Sequence, residues 1–215
     1  MKNLKIKRRK ILPFKLLAVC ACTTLSACAS SPDPRLYLMK SANGPVISQT
    51  SSNVSVQVGP IVMPEYLKRS EIDYRSNEHN ININEFDRWA ESLERNMTSV
   101  ITSNLATHLG TDQAFDYYAN FSVKPDYIVR MNVTEFGRVS SDTVSLSASW
   151  ELANNSSQQN KLFSENIKTT IQRSVDDKGH IDDENVSNVV DAMNEALNEL
   201  SRKIANQIAG KNPQF

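Results

Sequence analysis

The sequence contains few of the residues from which enzyme active sites are built. Only three histidines occur in 215 residues, and their spacing matches no metal-ligand motif such as HxxxH. No serine stands in a Gly-x-Ser-x-Gly sequence, and the six glycines form neither a phosphate loop nor a dinucleotide-binding pattern. We therefore expect a protein that is not an enzyme, with no catalytic residue and no metal site.

Cysteine is also scarce, and all three cysteines lie within the first 28 residues. Leu25-Ser26-Ala27-Cys28 resembles a bacterial lipobox, because it follows a basic segment and an apolar run too short to span a bilayer. Residues 1–27 are therefore predicted to be a lipoprotein signal peptide, and Cys28 to carry acyl chains after cleavage. Cys20 and Cys22 would leave with the peptide, so the mature chain would have no thiol for a disulfide or a nucleophile.

The residue after the lipobox cysteine is Ala29. In enterobacterial sorting, aspartate at this position retains a lipoprotein in the inner membrane. By resemblance, Ala29 predicts attachment to the outer membrane on its periplasmic side. Two or three acyl chains suffice for stable attachment, whereas one chain binds only marginally.

Acidic residues dominate the predicted mature chain. The formal charge of zero hides this imbalance, since residues 1–27 hold 7 of the 24 basic residues and none of the acidic ones. The remaining 188 residues have 17 basic and 24 acidic side chains, a net charge of −7, which argues against nucleic acid as a partner. This length favours one domain. We assign residues 28–52 to the lipidated cysteine and a tether or loop, and residues 53–210 to the folded domain.

Alternating apolar residues predict strands in the first half of this domain. Val54, Val56 and Val58 share one face, and Gly59-Pro60 should end that strand or make it an edge. A short strand is expected at residues 35–39 and another at residues 71–76. Residues 77–84 should form a polar hairpin or loop with Ile81 and Ile83 turned inward.

Two long amphipathic helices are predicted from three- and four-residue apolar spacing. The first spans Glu85 to Leu109, with Asn84 as its N-cap and Gly110 at its end. The second spans Asp183 to Ala209, capped by Asp182 or Asp183 and ended by Gly210.

Three further strands lie between the helices and alternate apolar with polar residues, at residues 127–134, 144–152 and 161–172. Their short polar connections indicate an antiparallel meander with one solvated face. The predicted fold is α+β: a single two-layer domain with a mainly antiparallel sheet and two long amphipathic helices packed on one face.

Two motifs are more specific than these patterns. The first signature motif, residues 58–69, reads Val-Gly-Pro-Ile-Val-Met-Pro-Glu-Tyr-Leu-Lys-Arg, and the second signature motif, residues 88–93, reads Arg-Trp-Ala-Glu-Ser-Leu. Together they resemble the ABC-type transport auxiliary lipoprotein family, in which V-G-P-x-x-x-P-x-Y-L-x-R follows a strand and R-W-A-E-x-L opens a helix. One position departs from the family: Ser70 stands where members often have proline, which loosens the turn.

The resemblance implies a role beside systems proposed to carry lipids between the two membranes. The implied partner is an MCE-domain (mammalian cell entry) periplasmic tunnel protein, for which this lipoprotein would be the docking component at the outer membrane. A homo-oligomeric ring that matches such a tunnel is a further expectation. The family has no catalytic residue to transfer, and the only covalent group expected is the acyl modification of Cys28.

The first signature motif also suggests a contact surface on physical grounds. Gly59, Pro60 and Pro64 restrict the backbone, so the residues after them should form a rigid excursion near a sheet edge. We predict that the partner-binding residues are Tyr66, Leu67, Arg69 and Arg75, because loop residues on a rigid scaffold often carry function.

The alternative for these residues is a structural role, with Tyr66 and Trp89 in the core and the arginines paired to Glu71 and Glu91. Trp89 is expected in the core. The alternative function is a stand-alone periplasmic lipoprotein that binds a lipid or small molecule. That function requires a cavity between sheet and helices, whereas Trp89, Leu93, Trp150, Met193 and Leu197 are expected to fill this space.

Overall fold

The computed structural model describes residues 33–42, 44–46, 54–75, 80–119, 122, 124–172, 174–175, 181–182 and 185–210. Within these ranges the side chains of residues 73–75, 174–175 and 181–182 are not described. The predicted signal peptide and Cys28 lie outside the described residues. From Pro34 onward the chain forms one structural unit.

The described part of the chain contains strands, two α-helices and two short 3-10 turns. The strands are β1 (Arg35–Tyr37), β2 (Val56–Val62), β3 (Glu71–Arg75), β4 (Ile81–Trp89), β5 (Ala114–Asp116), β6 (Tyr127–Arg138), β7 (Thr143–Asn154), β8 (Gln159–Thr170), β9 (Ser174–Val175) and β10 (Ile181–Asp182). The helices are α1 (Leu93–Leu109) and α2 (Val186–Ile208), and the 3-10 turns are η1 (Glu65–Lys68) and η2 (Tyr117–Ala119).

The sheet is built around β6. On one side, β6, β7 and β8 form the predicted antiparallel meander, and β7 pairs with β8 at twelve consecutive positions. On the other side, β2 and β3 both pair with β6 in parallel; β5 lies beyond β2, while β4 and then β1 lie beyond β3. β9 and β10 pair separately. The α+β prediction is confirmed, and the parallel pairs add to the antiparallel ones.

Both helices pack against the sheet, where the strands present their buried alternate residues. Trp150 of β7 stacks on Phe163 of β8 with ring centroids 4.2 Å apart. The residues predicted to fill the space between the layers are all buried: Trp89, Leu93, Trp150, Met193 and Leu197. Each such side chain contributes about 1.5–3 kcal/mol through removal of apolar surface from water.

The first helix begins later than predicted, at Leu93 rather than at Glu85. Residues 81–89 form β4 instead, because pairing with β3 on one side and β1 on the other outweighs the helical spacing that Trp89 shares with later apolar residues. The N-cap is therefore Ser92 and not Asn84. Trp89 is in the core, as expected, but on a strand.

The helix ends are otherwise close to the prediction. Gly110 ends α1 in the left-handed conformation with φ 64°. The N-cap of α2 is Asn185, whose side chain accepts a backbone hydrogen bond, and not Asp182 or Asp183. Asp182 belongs to β10, where strand pairing uses its backbone.

Ile81 and Ile83 were predicted to face inward, and this was wrong. Ile72 of β3 is buried and pairs with Asn84, so these two side chains share the inner side of the sheet. Ile83 and Ile81 alternate with the inward positions and lie exposed on the outer face. An apolar side chain in a hairpin is not buried unless another layer covers its face.

β2 continues through Gly59 and Pro60, where the sequence predicted that the strand ends or becomes an edge. In the structure the strand continues and becomes an edge strand at this point. β5 pairs with β2 only at residues 56–58, so beyond them this side of β2 has no strand partner among the described residues. The Gly59–Pro60 peptide is cis, and the register with β6 shifts between Val58 and Ile61.

An extended segment, residues 39–42 and 44–46, lies against the two helices; we call it the docked segment. Three of its backbone N–H groups donate to side-chain amide oxygens: Met39 to Asn96 at 2.7 Å, Lys40 to Asn194 at 3.0 Å, and Ala42 to Asn104 at 2.9 Å. Near its end, His108 contacts the Pro45 carbonyl oxygen through Nδ1 at 3.2 Å. We call these helix side chains, Asn96, Asn104, His108 and Asn194, the polar seam.

The region predicted as a tether or loop, residues 28–52, therefore contributes to the fold. β1 is a strand of the main sheet, and the docked segment is held by both helices. The folded part of the chain thus extends N-terminal to Asn53 and includes β1.

Neither α1 nor α2 is suited to crossing a bilayer: across the described residues, no helix combines the necessary length with a sufficiently apolar sequence.

Candidate partner-binding site

The first signature motif lies where strand pairing along one edge of β6 is interrupted. β2 pairs with β6 as far as Asn132, and β3 pairs with it again at Arg138. Residues 63–70 leave the sheet between these points and contain η1. The N–H of Leu67 donates to the Pro64 carbonyl oxygen at 3.0 Å, which closes the turn. The motif therefore forms an excursion beside the sheet, as predicted, and a hydrogen-bonded turn lies within it.

Tyr66 ties this excursion to β6. Its hydroxyl donates a hydrogen bond to the Thr134 carbonyl oxygen at 3.1 Å. Thr134 lies where the register between β6 and β7 slips, between Val133 and Glu135. A β-bulge leaves one residue out of the ladder, so the tyrosine supplies a partner for the bulged residue. The position of η1 is thereby fixed relative to the bulge.

Both signature motifs line one small pocket, and we call the residues around it the signature corner. The lining residues are Tyr66, Leu67, Glu71, Ile72, Trp89, Leu93, Phe136 and Met193. Its volume is about 20 Å³, which is room for about one water molecule. The N–H of Trp89 donates to the Ser70 carbonyl oxygen at 2.7 Å and so joins the second motif to the end of the first.

Charged side chains line the outer rim of the signature corner. Glu71 lies 3.8 Å from Arg88 and 4.0 Å from Arg69. The pKa of Glu71 is below its usual value, chiefly because its own backbone N–H donates to the carboxylate, with smaller contributions from the Ser70 hydroxyl and the two arginines. Glu71 is therefore ionised at neutral pH and holds two arginines at the rim.

Gly59 is fixed by its surroundings as well as by its conformation. Its φ is +110°, and a Cβ placed there would lie 2.7 Å from the Cβ of Tyr117. The signature glycine thus allows η2 to pack against β2.

Burial raises the pKa of the neighbouring Tyr118 to about 12, with a further contribution from Glu94, to which its hydroxyl donates.

The structure brings together only part of the predicted set of binding residues. Tyr66 and Arg69 lie on the excursion with part of their surface accessible, whereas Leu67 is in the core. Arg75 ends β3, where its backbone pairs with Ile81, and its side chain is outside the described atoms. These positions make Tyr66 and Arg69 the accessible members, and Leu67 the residue that anchors them.

The sequence interpretation missed the polar seam. Asn96, Asn104 and His108 are buried on α1, and their spacing of eight and four residues places them on one helix face. That spacing of polar residues inside a long apolar pattern was the available indication. A helix with polar residues along one buried side must meet hydrogen-bonding groups there, and the docked segment supplies them.

The signature corner offers an accessible surface for contact with another molecule. In the ranges that the structure describes, no three His, Cys, Asp or Glu side chains come together as metal ligands would. The accessible groups of the signature corner are a tyrosine ring and guanidinium groups, which are suited to binding carboxylates or to protein contacts.

Comparison with known proteins identifies the family. The family model described as "ABC-type transport auxiliary lipoprotein component" matches residues 37–205. The chain belongs to this family. The match covers both signature motifs, the meander, all of α1 and α2 as far as Ala205, and it confirms the resemblance inferred from the motifs. The protein is accordingly a lipoprotein component associated with ABC-type transport. Comparison with curated protein sequences gives no significant match.

Two solved structures share the fold. A crystal structure of an uncharacterized protein is 17% identical, with a TM-score of 0.64, and the alignment covers 82% of this chain and 99% of that one. A Xanthomonas campestris protein of the DUF330 family is 13% identical, with a TM-score of 0.60, covering 82% of this chain and 97% of that one. At these identities the similarity concerns the fold alone.

Proposed function

We propose that this protein is a non-enzymatic docking component of an MCE/ABC-type lipid-transport system, anchored in the outer membrane and facing the periplasm. Family membership supports the association with transport. The lipobox ending at Cys28 and the following Ala29 support the anchor and its location. The partner is an MCE-domain tunnel protein, and a homo-oligomeric ring of the lipoprotein matches its symmetry.

The signature corner is the observation on which this proposal mainly rests. The two motifs that distinguish the family meet there, although they are separate in sequence. Leu67 and Trp89 fix the corner from inside, and Tyr66 and Arg69 present accessible atoms at its rim. A family-specific feature that is rigid and partly accessible is better suited to a partner than to the core alone.

The packing between sheet and helices favours docking over lipid binding by this domain alone. A stand-alone lipid carrier needs a cavity that encloses most of its ligand. The large side chains Trp89, Trp150, Met193 and Leu197 instead occupy the space between the layers.

The proposal can be tested by crosslinking in intact envelopes, followed by affinity purification of the full-length protein and mass spectrometry. We expect an MCE-domain protein to be recovered with the wild type, and its recovery to fall with Cys28→Ala, which cannot be acylated. Recovery of no transport component from a protein correctly localised to the outer membrane would contradict the docking role.

The surface can be tested with a matched pair of charge reversals. Arg69→Glu changes the signature corner, and Arg202→Glu changes a similarly exposed arginine on α2, where the ion pair with Glu199 at 2.7 Å is local. We expect the first variant to lose most partner recovery and the second to retain it. Equal recovery from both variants would place the interface elsewhere. Native mass spectrometry of the wild type tests the ring.

A further inference from the structure

Exposed apolar side chains lie along β1 and β4, the strands at the edge of the sheet where the chain enters the fold. Among the described residues, ten large apolar or tyrosine side chains are exposed, and four of them lie on β1 and β4. We call these four the apolar patch: Leu36, Ile81, Ile83 and Phe86. Leu36 is 65% exposed and Phe86 40% exposed. An apolar cluster on a surface usually marks a contact site.

Strand pairing places the patch on the face opposite the helices. Leu36 pairs with Arg88, and Phe86 precedes Arg88 by two residues, so these three positions share a face. The intervening Asp87 and the following Trp89 point the other way and are buried. Nearer the start of β4, Asn84 is the residue opposite the buried Ile72 and shares its inner side, so Ile83 and Ile81 face outward. The register shift between Glu71 and Ile72 resets the alternation along β4, which puts Ile83 on the same outer face as Phe86.

The chain length from the lipid anchor limits how far this face can lie from the bilayer. Only six residues separate Cys28 from Arg35, the first residue of β1. At about 3.6 Å per residue, the first residue of β1 lies at most about 25 Å from the anchored cysteine. Leu36 is the next residue along, and among the described residues it is the exposed large apolar side chain nearest to Cys28 in sequence.

The arginines beside the patch, Arg35 and Arg88, lie close to carboxylates. Arg35 pairs with Asp87, with Nη2 to Oδ2 and Nε to Oδ1 both at 2.7 Å. The Arg88 Nε donates to the Glu85 carbonyl oxygen at 3.2 Å, and its Nη2 lies 3.8 Å from Glu71. Attraction to anionic lipid is therefore not the expected driving force, and apolar contact is.

We propose that the apolar patch rests in the headgroup region of the membrane that holds the Cys28 anchor. Apolar side chains on an interfacial surface enter the boundary between headgroups and acyl chains to a depth of about 5–10 Å. The acyl chains supply the attachment, and the patch sets which face of the domain meets the lipid. The inference rests on the proposed anchoring at Cys28 and adds an orientation to it.

The test uses the acylated full-length protein, reconstituted into phosphatidylethanolamine–phosphatidylglycerol vesicles. Since the acylated chain has no other cysteine after cleavage, single variants Leu36→Cys and Phe86→Cys can carry an environment-sensitive fluorophore. Leu162→Cys is the control, because Leu162 is 81% exposed but lies on β8 at the far edge of the sheet. Quenchers attached to the lipid near the headgroups report contact.

We expect blue-shifted emission and loss of intensity with the quencher at Leu36 and Phe86, and neither effect at Leu162. The same result is expected in phosphatidylcholine vesicles, because the contact is apolar. No quenching at any position, or equal quenching at all three, would overturn the inference. If quenching appears only when a second copy or the partner protein is present, the patch is a protein interface. That result would also overturn the inference.

A second variant guards against local effects of the label. With the fluorophore at Ile83→Cys, we expect quenching to be lost in the Leu36→Glu/Phe86→Glu background and kept in the Leu162→Glu background. Thermal unfolding verifies that both proteins are folded, and quenching that survives the double substitution counts against the patch. Flotation and the mass of the N-terminal peptide test the anchor separately: a protein that floats without quenching refutes only the orientation, and absence of acylation refutes both proposals.

Discussion

The two sides of β6 are built on different principles. On one side the meander of β6, β7 and β8 pairs in sequence order and is stabilised by alternating apolar residues that pack on the helices. On the other side β2 and β3 share one edge of β6, and single features add to the buried apolar residues there. These features are Gly59, the Tyr66 hydrogen bond, and the hydrogen bond from the Ser55 hydroxyl to the Asp126 carboxylate, just before β2 and β6. Redundant packing stabilises the first side, whereas individual groups specify the second.

The largest effect is expected in the meander, from Trp150→Ala. This removes a buried ring that stacks on Phe163 and should cost about 3–5 kcal/mol of unfolding free energy. The measurement is urea denaturation followed by circular dichroism. Leu162→Ala on the neighbouring strand, at an exposed position, should change stability by less than about 0.5 kcal/mol. Similar losses from both would contradict the packing argument.

On the other side, Gly59→Ala should be the most damaging single change. It combines a positive φ with a Cβ placed 2.7 Å from Tyr117, and we expect a loss of about 2–4 kcal/mol. Gly210→Ala is the matched control, because its φ is +67° and nothing lies within 4 Å of the added Cβ. The control should lose about 1 kcal/mol, measured by the same denaturation. Equal losses would mean that the Tyr117 contact is unimportant.

The polar seam permits an intermediate test. Asn104→Ala removes the buried acceptor of the Ala42 N–H and the donor to the buried Ser201 hydroxyl. It should cost about 1–3 kcal/mol, since two partly or fully buried groups lose their partner. Amide hydrogen exchange should accelerate at Ala42. Asn194→Ala removes an equivalent but exposed bond to Lys40, and water can replace it, so the loss should be smaller. The reverse order would show that the seam does not hold the docked segment.

Asp126 makes the junction between β2 and β6 sensitive to pH. Hydrogen bonds from the backbone N–H and hydroxyl of Ser55, at 2.9 and 2.7 Å, lower the pKa of Asp126. Because the folded pKa is depressed, the stabilisation is present above the unfolded pKa of about 3.9 and is lost as pH falls through the folded value. Asp126→Asn should therefore cost about 1.5 kcal/mol at pH 7, and the difference should vanish in strong acid. Denaturation between pH 7 and pH 2 measures this, and a constant difference would exclude the carboxylate as its source.

The smallest effect should come from Tyr66→Phe, which removes one exposed hydrogen bond to Thr134 and should cost about 0.5–1 kcal/mol. Thermal unfolding measures it. If the residue also contacts the partner, the same variant should weaken partner recovery more than its stability suggests. A large loss of stability would instead make Tyr66 mainly structural.

The contrast between the two sides of β6 explains which parts of the fold could be predicted from the sequence. The alternation of apolar and polar residues along β6 to β8 and Gly110 after a long apolar stripe are local properties, so the meander and the end of α1 followed from pattern alone. Trp89 fits both a helical stripe and a strand, and only its partners in β1 and β3 decide between them. The shared edge of β6 involves distant segments, and no local period encodes it.

The candidate site divides in the same way. The signature motifs could be recognised from their letters, and the restriction imposed by Gly59 and the prolines indicated a rigid excursion. Which side chains remain accessible depends on tertiary packing, so Leu67 could not be distinguished from Tyr66 in advance. The polar seam depends on contacts between α1 and a segment that was interpreted as a loop. Its hydrogen-bond partners could therefore be identified only from the structure.

The route by which the chain enters the fold determines how it responds to mechanical load. A pull on the proposed anchor at Cys28 would be applied first to β1, whose three residues and Arg35–Asp87 pair join it to β4. Beyond β1, the same tension meets the side-chain amides that hold Met39, Lys40 and Ala42. The meander and both helices follow β1 and the docked segment along the chain. Under the proposed anchoring and docking, opposite pulls at the two ends of this connection would load β1 and the docked segment before the meander.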